Sequence, residues 1–146
     1  NEGVIQITAF ANYVKVNNNR FNSIISLGNK VAKLYGDDNF NPSLHSNKRE
    51  YLEGIENINM KFPMPDIDDF IDHIDYVVKL IGIDYVGISS DFGGGGGISG
   101  WIDASETKLL THKLKERGYS PKEIEKIWGG NILRVWKRVE DIASNT

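Results

Sequence analysis

Asp91 is the residue whose position most suggests chemistry. It directly follows an apolar run, Tyr85-Val86-Gly87-Ile88-Ser89-Ser90, and is separated only by Phe92 from five glycines, Gly93 to Gly97. The run reads as a strand, and in α/β folds ligands bind at the carboxyl ends of strands. A carboxylate there can bind metal, act as a base or orient a substrate amine. Equally, an Asp in that place can cap the loop by accepting backbone N–H bonds. The glycines permit positive φ and close backbone approach, so the loop could offer N–H groups to an anion or a carboxylate. No Gly-Lys-Ser/Thr follows them and Trp101 interrupts the stretch, which excludes a Walker loop and a dinucleotide fingerprint. A flexible surface loop is the stronger account of the glycines, and the run taken alone carries little functional weight. Thr8 and Phe10, at the end of an earlier apolar run, could line the same mouth as Asp91, as could Tyr13. Trp101 is the tryptophan to watch, because it stands in the loop after the glycines.

The remaining polar residues point elsewhere. His73-Ile74-Asp75 would grip an ion from a strand, but it lies in a helical pattern, where residues two apart point about 200° apart. A solvated or salt-bridged helix face is expected. His45 and His112 stand isolated and are expected to be exposed. Trp128 and Trp136 are expected in the packing, and Asn17-Asn18-Asn19-Arg20 reads as a polar turn. A catalytic zinc needs about three His or carboxylate ligands, and the chain offers one well-placed carboxylate and no convergent histidines.

The elements that would position Asp91 follow from periodicity. Gly3 to Phe10, GVIQITAF, is short and mostly apolar and predicts a buried strand. Ile24, Ile25, Leu27, Val31 and Leu34 recur at helical spacing, with Gly36 as a stop. Leu44, Tyr51, Leu52, Ile55 and Ile58 repeat the pattern before Pro63 and Pro65 break it. Asp66 to Leu80 carries one apolar stripe, the strongest helix signal of this half. After the glycines, Ser105 is expected to cap a helix running to Arg117, with Gly118 ending it. Ser120-Pro121-Lys122-Glu123 is a capping box. Ile132, Leu133, Val135, Trp136 and Val139 predict a last amphipathic helix. A strand–helix–strand order implies parallel pairing. Parallel strands are normally buried within larger sheets, so the chain reads as a piece of a larger α/β body, a barrel or an open sheet.

Composition narrows the function classes. The 146 residues are 40% hydrophobic and 25% charged, an ordinary globular balance. A net charge of −3 with 17 scattered Lys and Arg residues argues against nucleic acid. The absence of Cys excludes disulfides, zinc–thiolate sites and thiol nucleophiles. No apolar run approaches the roughly 18 residues of a spanning helix. The chain opens at Asn1 without Met and soon enters an apolar segment, as expected of a cut end with any leader upstream.

Four stretches carry a resemblance: DHIDYVVKLIGIDYVGISSDF (Asp72–Phe92), GGGGISGWIDASE (Gly94–Glu106), RGYS (Arg117–Ser120) and IWGGNILRVWKRVE (Ile127–Glu140). Together they resemble the C-terminal end of the renal (membrane) dipeptidase family, in particular bacterial members. NEGVIQITAFANYVK (Asn1–Lys15) looks like that family's seventh barrel strand, and Tyr35 to Pro65 resembles the helical insertion of bacterial members more loosely.

The resemblance implies an α/β fold, a (β/α)8 TIM-like barrel, of which residues 1–146 would be the C-terminal part, with strands seven and eight and a helical insertion at about 18–62. It implies dipeptide hydrolysis by water activated between two zinc ions, their ligands lying mostly upstream and none in this chain. Asp91 matches the family's catalytic aspartate after strand eight. Thr8, Phe10, Tyr13, Phe92, Gly93, Gly94 and Trp101 are the corresponding substrate-binding candidates. The implied partners are a dipeptide, the missing N-terminal half of the barrel and, since family members are often dimers, a second copy. The compartment stays open between the bacterial cytoplasm and the periplasm or cell envelope. Two departures stand out. The family's Ser-Asp-Phe-Asp-Gly has Gly93 at its second Asp, and Thr8-Ala9-Phe10 stands where Asn-Phe-Tyr is frequent. The segment alone is expected to be inactive. A non-catalytic binding module is the alternative, and an anion-binding glycine loop a weaker third.

Overall fold

The computed structural model describes residues 2–144, so Asn1, the expected cut end, lies outside the described part. Along the chain run β1 (Ile5–Thr8), α1 (Ala11–Val14), α2 (Asn18–Leu34), α3 (Pro42–His45), α4 (Arg49–Lys61) and α5 (Ile67–Ile81). They are followed by β2 (Val86–Ser89), α6 (Thr107–Glu116), α7 (Pro121–Glu125) and α8 (Asn131–Ser144). Short 3-10 turns lie at Ile83–Tyr85, Phe92–Gly94 and Ala104–Glu106, and a π turn at Lys126–Gly130. The chain is thus mixed α/β and mostly helical. It divides into two compact units, one made of the residues up to Lys15 with those from Pro65 on, the other of Val16–Met64.

In the first unit β1 and β2 pair in parallel, with Ile5 opposite Val86, Gln6 opposite Gly87, Ile7 opposite Ile88 and Thr8 opposite Ser89. Side chains alternate across a strand, so the pair has two unlike faces. Ile7, Val86 and Ile88 turn to the apolar core with Phe70, Ile71 and Ile74 of α5 and Leu110 and Leu114 of α6. Gln6, Thr8, Gly87 and Ser89 share the other, polar face, and Gln6 lies across Gly87 so closely that a methyl there would stand 2.5 Å from its Oε1. β1 is therefore not the buried strand that the apolar run predicts: Gln6 is exposed and Ile5 half exposed. Among the described residues the sheet has these two strands.

α5 follows its sequence signal closely. Asp66 caps it by accepting from Asp69 N–H (2.9 Å), while the Asp69 carboxylate accepts from Asp66 N–H (3.2 Å). Ile67, Phe70, Ile71 and Ile74 are buried, each contributing about 1.5–3 kcal/mol by leaving water. The helix before Gly118 differs from expectation. Asp103, not Ser105, accepts the capping bond from Ser105 N–H (2.8 Å), a 3-10 turn intervenes, and the α-helix starts at Thr107. A carboxylate attracts the donors of a helix start more strongly than a hydroxyl does, and Ser105 itself donates to it. The Ser120–Glu123 box forms as predicted. α8 is amphipathic, but only Ile132 and Val135 of its predicted stripe are half buried. Leu133, Trp136 and Val139 are exposed, and the Trp136 indole donates to Glu140 rather than packing inside.

The second unit is α2, α3 and α4. Gly54 lets α4 close on α2, since a methyl there would collide with Leu27. Asn17 caps α2 and the helix begins at Asn18, so the expected polar turn at 17–20 is a helix start. Arg20 is buried because its guanidinium donates to Asn59 Oδ1 (2.7 Å) and to the Phe62 carbonyl (3.2 Å). His45, expected to be exposed, is 1% accessible. Its Nδ1 accepts from Asn41 N–H (2.9 Å), which leaves the proton on Nε2 to bond Asp37 Oδ2 (2.8 Å).

Candidate functional site

The site is built where the two strands end. Beyond the last paired rung, Ala9 N–H donates to the Ser89 carbonyl (2.8 Å), and Gly97 N–H returns to the Ala9 carbonyl (2.7 Å). The glycine loop is thereby stitched to the end of β1, with Phe10 bridged to Gly97. Further bonds fix the rest of the loop. The Asp91 carbonyl accepts from Gly94 N–H (2.9 Å) and Gly96 N–H (2.8 Å), and Ser99 N–H donates to the Pro65 carbonyl (2.9 Å).

Asp91 is the centre of this arrangement. Its backbone is left-handed, with φ at 54°, a conformation that non-glycine residues adopt at a cost and that gathers at functional sites. Its side chain is exposed, and among the described residues no donor is bonded to its carboxylate. By contrast, the carboxylates of Asp68, Asp69, Asp75 and Asp103 are all engaged. Asp103 is held below the usual carboxylate range by the hydroxyl and N–H of Ser105.

The other candidates fall into two groups. Thr8 is on the polar face at the last rung, opposite Ser89. The Phe10 ring lies 3.9 Å from where a methyl on Gly95 would stand and 4.7 Å, centroid to centroid, from Tyr13, which is exposed. Gly93 and Gly94 belong to the 3-10 turn after Asp91 and are exposed. These residues lie at or next to the carboxyl ends of the two strands, as Asp91 does. Trp101 is different, being 3% accessible and packed on Phe70, Phe92 and Trp128 with centroids 5.4–5.9 Å apart. Its indole N–H is taken by Thr107 Oγ1 (3.2 Å). It supports the loop from beneath, and Phe92 is half buried against it.

His73 and Asp75 diverge as helical geometry requires. His73 Nε2 donates to the Val14 carbonyl (2.8 Å), while Asp75 takes Arg117 (2.8 Å) and the Tyr119 hydroxyl (2.6 Å). Burial first, and then Asp75, push the Tyr119 hydroxyl above its ordinary range. His112 lies 3.2 Å from Glu116 on an exposed face. Among the described residues no three His, Cys, Asp or Glu side chains gather as a metal-holding group. No helix among them is long and apolar enough to cross a membrane.

Two polar residues on the site's face escape a reading by apolar runs, Gln6 and Ser89. The alternation Gln6-Ile7-Thr8 was the available signal, because it puts Gln6 on the side of Thr8.

The chain is similar to known dipeptidases. Dipeptidase ataJ of Aspergillus terreus is 50% identical over 74 residues, half of this chain and 18% of that protein. Dipeptidase tcpJ of Claviceps purpurea is 35% identical over 80 residues, 54% of this chain and 19% of that protein. The chain therefore matches about a fifth of the length of these relatives. The crystal structure of the probable dipeptidase PvdM from Pseudomonas aeruginosa superimposes with a TM-score of 0.63 at 35% identity, over 92% of this chain and 36% of that one. The family profile described as membrane dipeptidase, Peptidase family M19, matches residues 1–146, and the chain belongs to that family.

Proposed function

We propose that the complete polypeptide carrying this chain is a dipeptidase, and that the chain supplies the mouth formed by the last two strands of a (β/α)8 barrel. In this reading β1 and β2 are strands seven and eight, and the polar face of Gln6, Thr8, Gly87 and Ser89 looks into the barrel. The second unit is the helical insertion. The observation that carries the proposal is Asp91: an uncommitted carboxylate, strained into a left-handed turn, at the carboxyl end of a parallel pair in a membrane dipeptidase family chain.

Asp91 takes the proton of the water that attacks the peptide carbonyl and holds the substrate amine nearby. Thr8, Phe10 and Tyr13 border the dipeptide on the β1 side, and Gly93 on the other, while Gly94, its N–H tied to the Asp91 carbonyl, lies behind the carboxylate. Phe92 and Trp101 hold that wall in place from below. Two zinc ions would supply an activated water and a polarised carbonyl. The described residues do not fit such a centre, since no ligand group gathers among them, so its ligands are assigned to the rest of the polypeptide.

The test is to express the complete polypeptide, measure its zinc content and assay dipeptide hydrolysis for wild type and Asp91→Asn. Two zincs with activity that collapses in the variant are expected. Full activity in the variant removes the role of Asp91. A polypeptide that holds no metal and cleaves nothing would favour the non-catalytic binding module.

A further inference from the structure

Gly93 and Gly94 are neighbours with the same side chain, and neither has a positive φ, so nothing in their backbones demands glycine. Their surroundings differ. A methyl on Gly93 would meet nothing within 4 Å, whereas one on Gly94 would stand 2.5 Å from Oδ1 of Asp91, 3.1 Å from its Cγ and 3.2 Å from Oδ2. The whole carboxylate lies in the space that a side chain at 94 would fill. Gly96 closes the other side: a methyl there would strike the Ser90 carbonyl and stand 2.7 Å from Asp91 Cβ. The nearest atoms to a methyl at 94 are thus all in the Asp91 carboxyl group, at the end of its side chain, while those at 96 are its Cβ and the main chain.

We propose that Gly94 is a positioning residue, and that its missing side chain is what allows the Asp91 carboxylate to stand where it does. The inference rests on the role assigned to Asp91 above and deepens it. Non-bonded heavy atoms settle at about 3.5 Å, so a methyl at 94 forces the carboxylate back by about 1 Å. Displacement of a reacting group by about that much lowers a rate by about a hundredfold. Gly94 does this without contacting substrate chemistry itself, so its effect must pass through Asp91.

The experiment is a double-mutant cycle in the complete polypeptide. Gly94→Ala, Gly93→Ala, Asp91→Asn and the Asp91→Asn/Gly94→Ala pair are compared for kcat and KM on one dipeptide, and for melting temperature. Gly94→Ala is expected to lower kcat roughly tenfold to a hundredfold, by a clearly larger factor than Gly93→Ala and with a smaller change in KM. In the Asp91→Asn background Gly94→Ala is expected to add little, because the two changes act on one group. Equal kcat for Gly94→Ala and Gly93→Ala, with Asp91→Asn inactive, overturns this inference and leaves the role of Asp91 standing. The same factor of loss in both backgrounds also overturns it. Full activity in Asp91→Asn overturns both. If Gly94→Ala melts early, Asp91→Ala/Gly94→Ala must recover the lost stability, since the collision is then gone; failure to recover it counts against the proposal.

Discussion

The two ends of the strand pair are furnished in opposite ways. At the amino end the polar groups are paired. Arg134 donates to the Glu2 carbonyl (3.0 Å) and the Asp84 carbonyl (2.8 Å) and lies over the Tyr85 ring, and Lys126 binds the Asp84 carboxylate. Asn131, buried, reaches the carbonyls of Ile83 (2.7 Å) and Val86 (2.8 Å), and Arg138 pairs with Glu2. At the carboxyl end the main chain is tied down, but Asp91 has a left-handed backbone and, among the described residues, no donor on its carboxylate. One end uses polar atoms to hold the strands in place. The other uses glycines and main-chain bonds, and leaves the Asp91 carboxylate without a bonded donor among the described residues. That is the division expected between the stability face and the chemical face of a β/α body.

Mutations can break this contrast, and the largest effect belongs to the carboxyl end. Asp91→Asn is expected to lower dipeptide hydrolysis by the complete polypeptide about 10²- to 10⁴-fold, with its thermal melting midpoint almost unmoved. A comparable loss of stability would mean that Asp91 is an ordinary loop cap. Next comes Asn131→Ala at the amino end, which strips two carbonyls of their donor and should destabilise by about 2 kcal/mol. Urea unfolding reads that loss, while activity per folded molecule stays level. Arg134→Met follows, at about 1 kcal/mol because the aliphatic stem still covers Tyr85. Lys126→Met is smallest, at most about 0.5 kcal/mol and shrinking in high salt, since the pair with Asp84 is exposed. If an amino-end substitution with unchanged stability abolished activity, the division of labour would be wrong.

The sequence revealed those parts of the site that depend on local rules. α5 announced itself through its stripe and its Asp66 cap, and the strand–helix–strand order implied the parallel pair that is found. Asp91 at a strand end needed only that order. What stayed hidden depends on contacts between distant residues. The loop position of Trp101 predicts a place beside the substrate, but Phe70, Phe92 and Trp128 pack around it and bury it. His45 is buried because Asp37 and Asn41 fold back onto its ring, which spacing alone does not disclose. Ser105 and Asp103 are both good caps two residues apart, and the stronger acceptor won. The exposure of Leu133, Trp136 and Val139 on α8 is likewise invisible to periodicity, which locates an apolar face without saying what covers it.

The left-handed turn at Asp91 has a consequence for how variants of this loop would be ranked. A screen for heat resistance alone would favour Asp91→Gly, because glycine adopts that backbone freely and removes about 1 kcal/mol of tension. The sturdier loop would have lost the carboxylate on which the proposed hydrolysis depends.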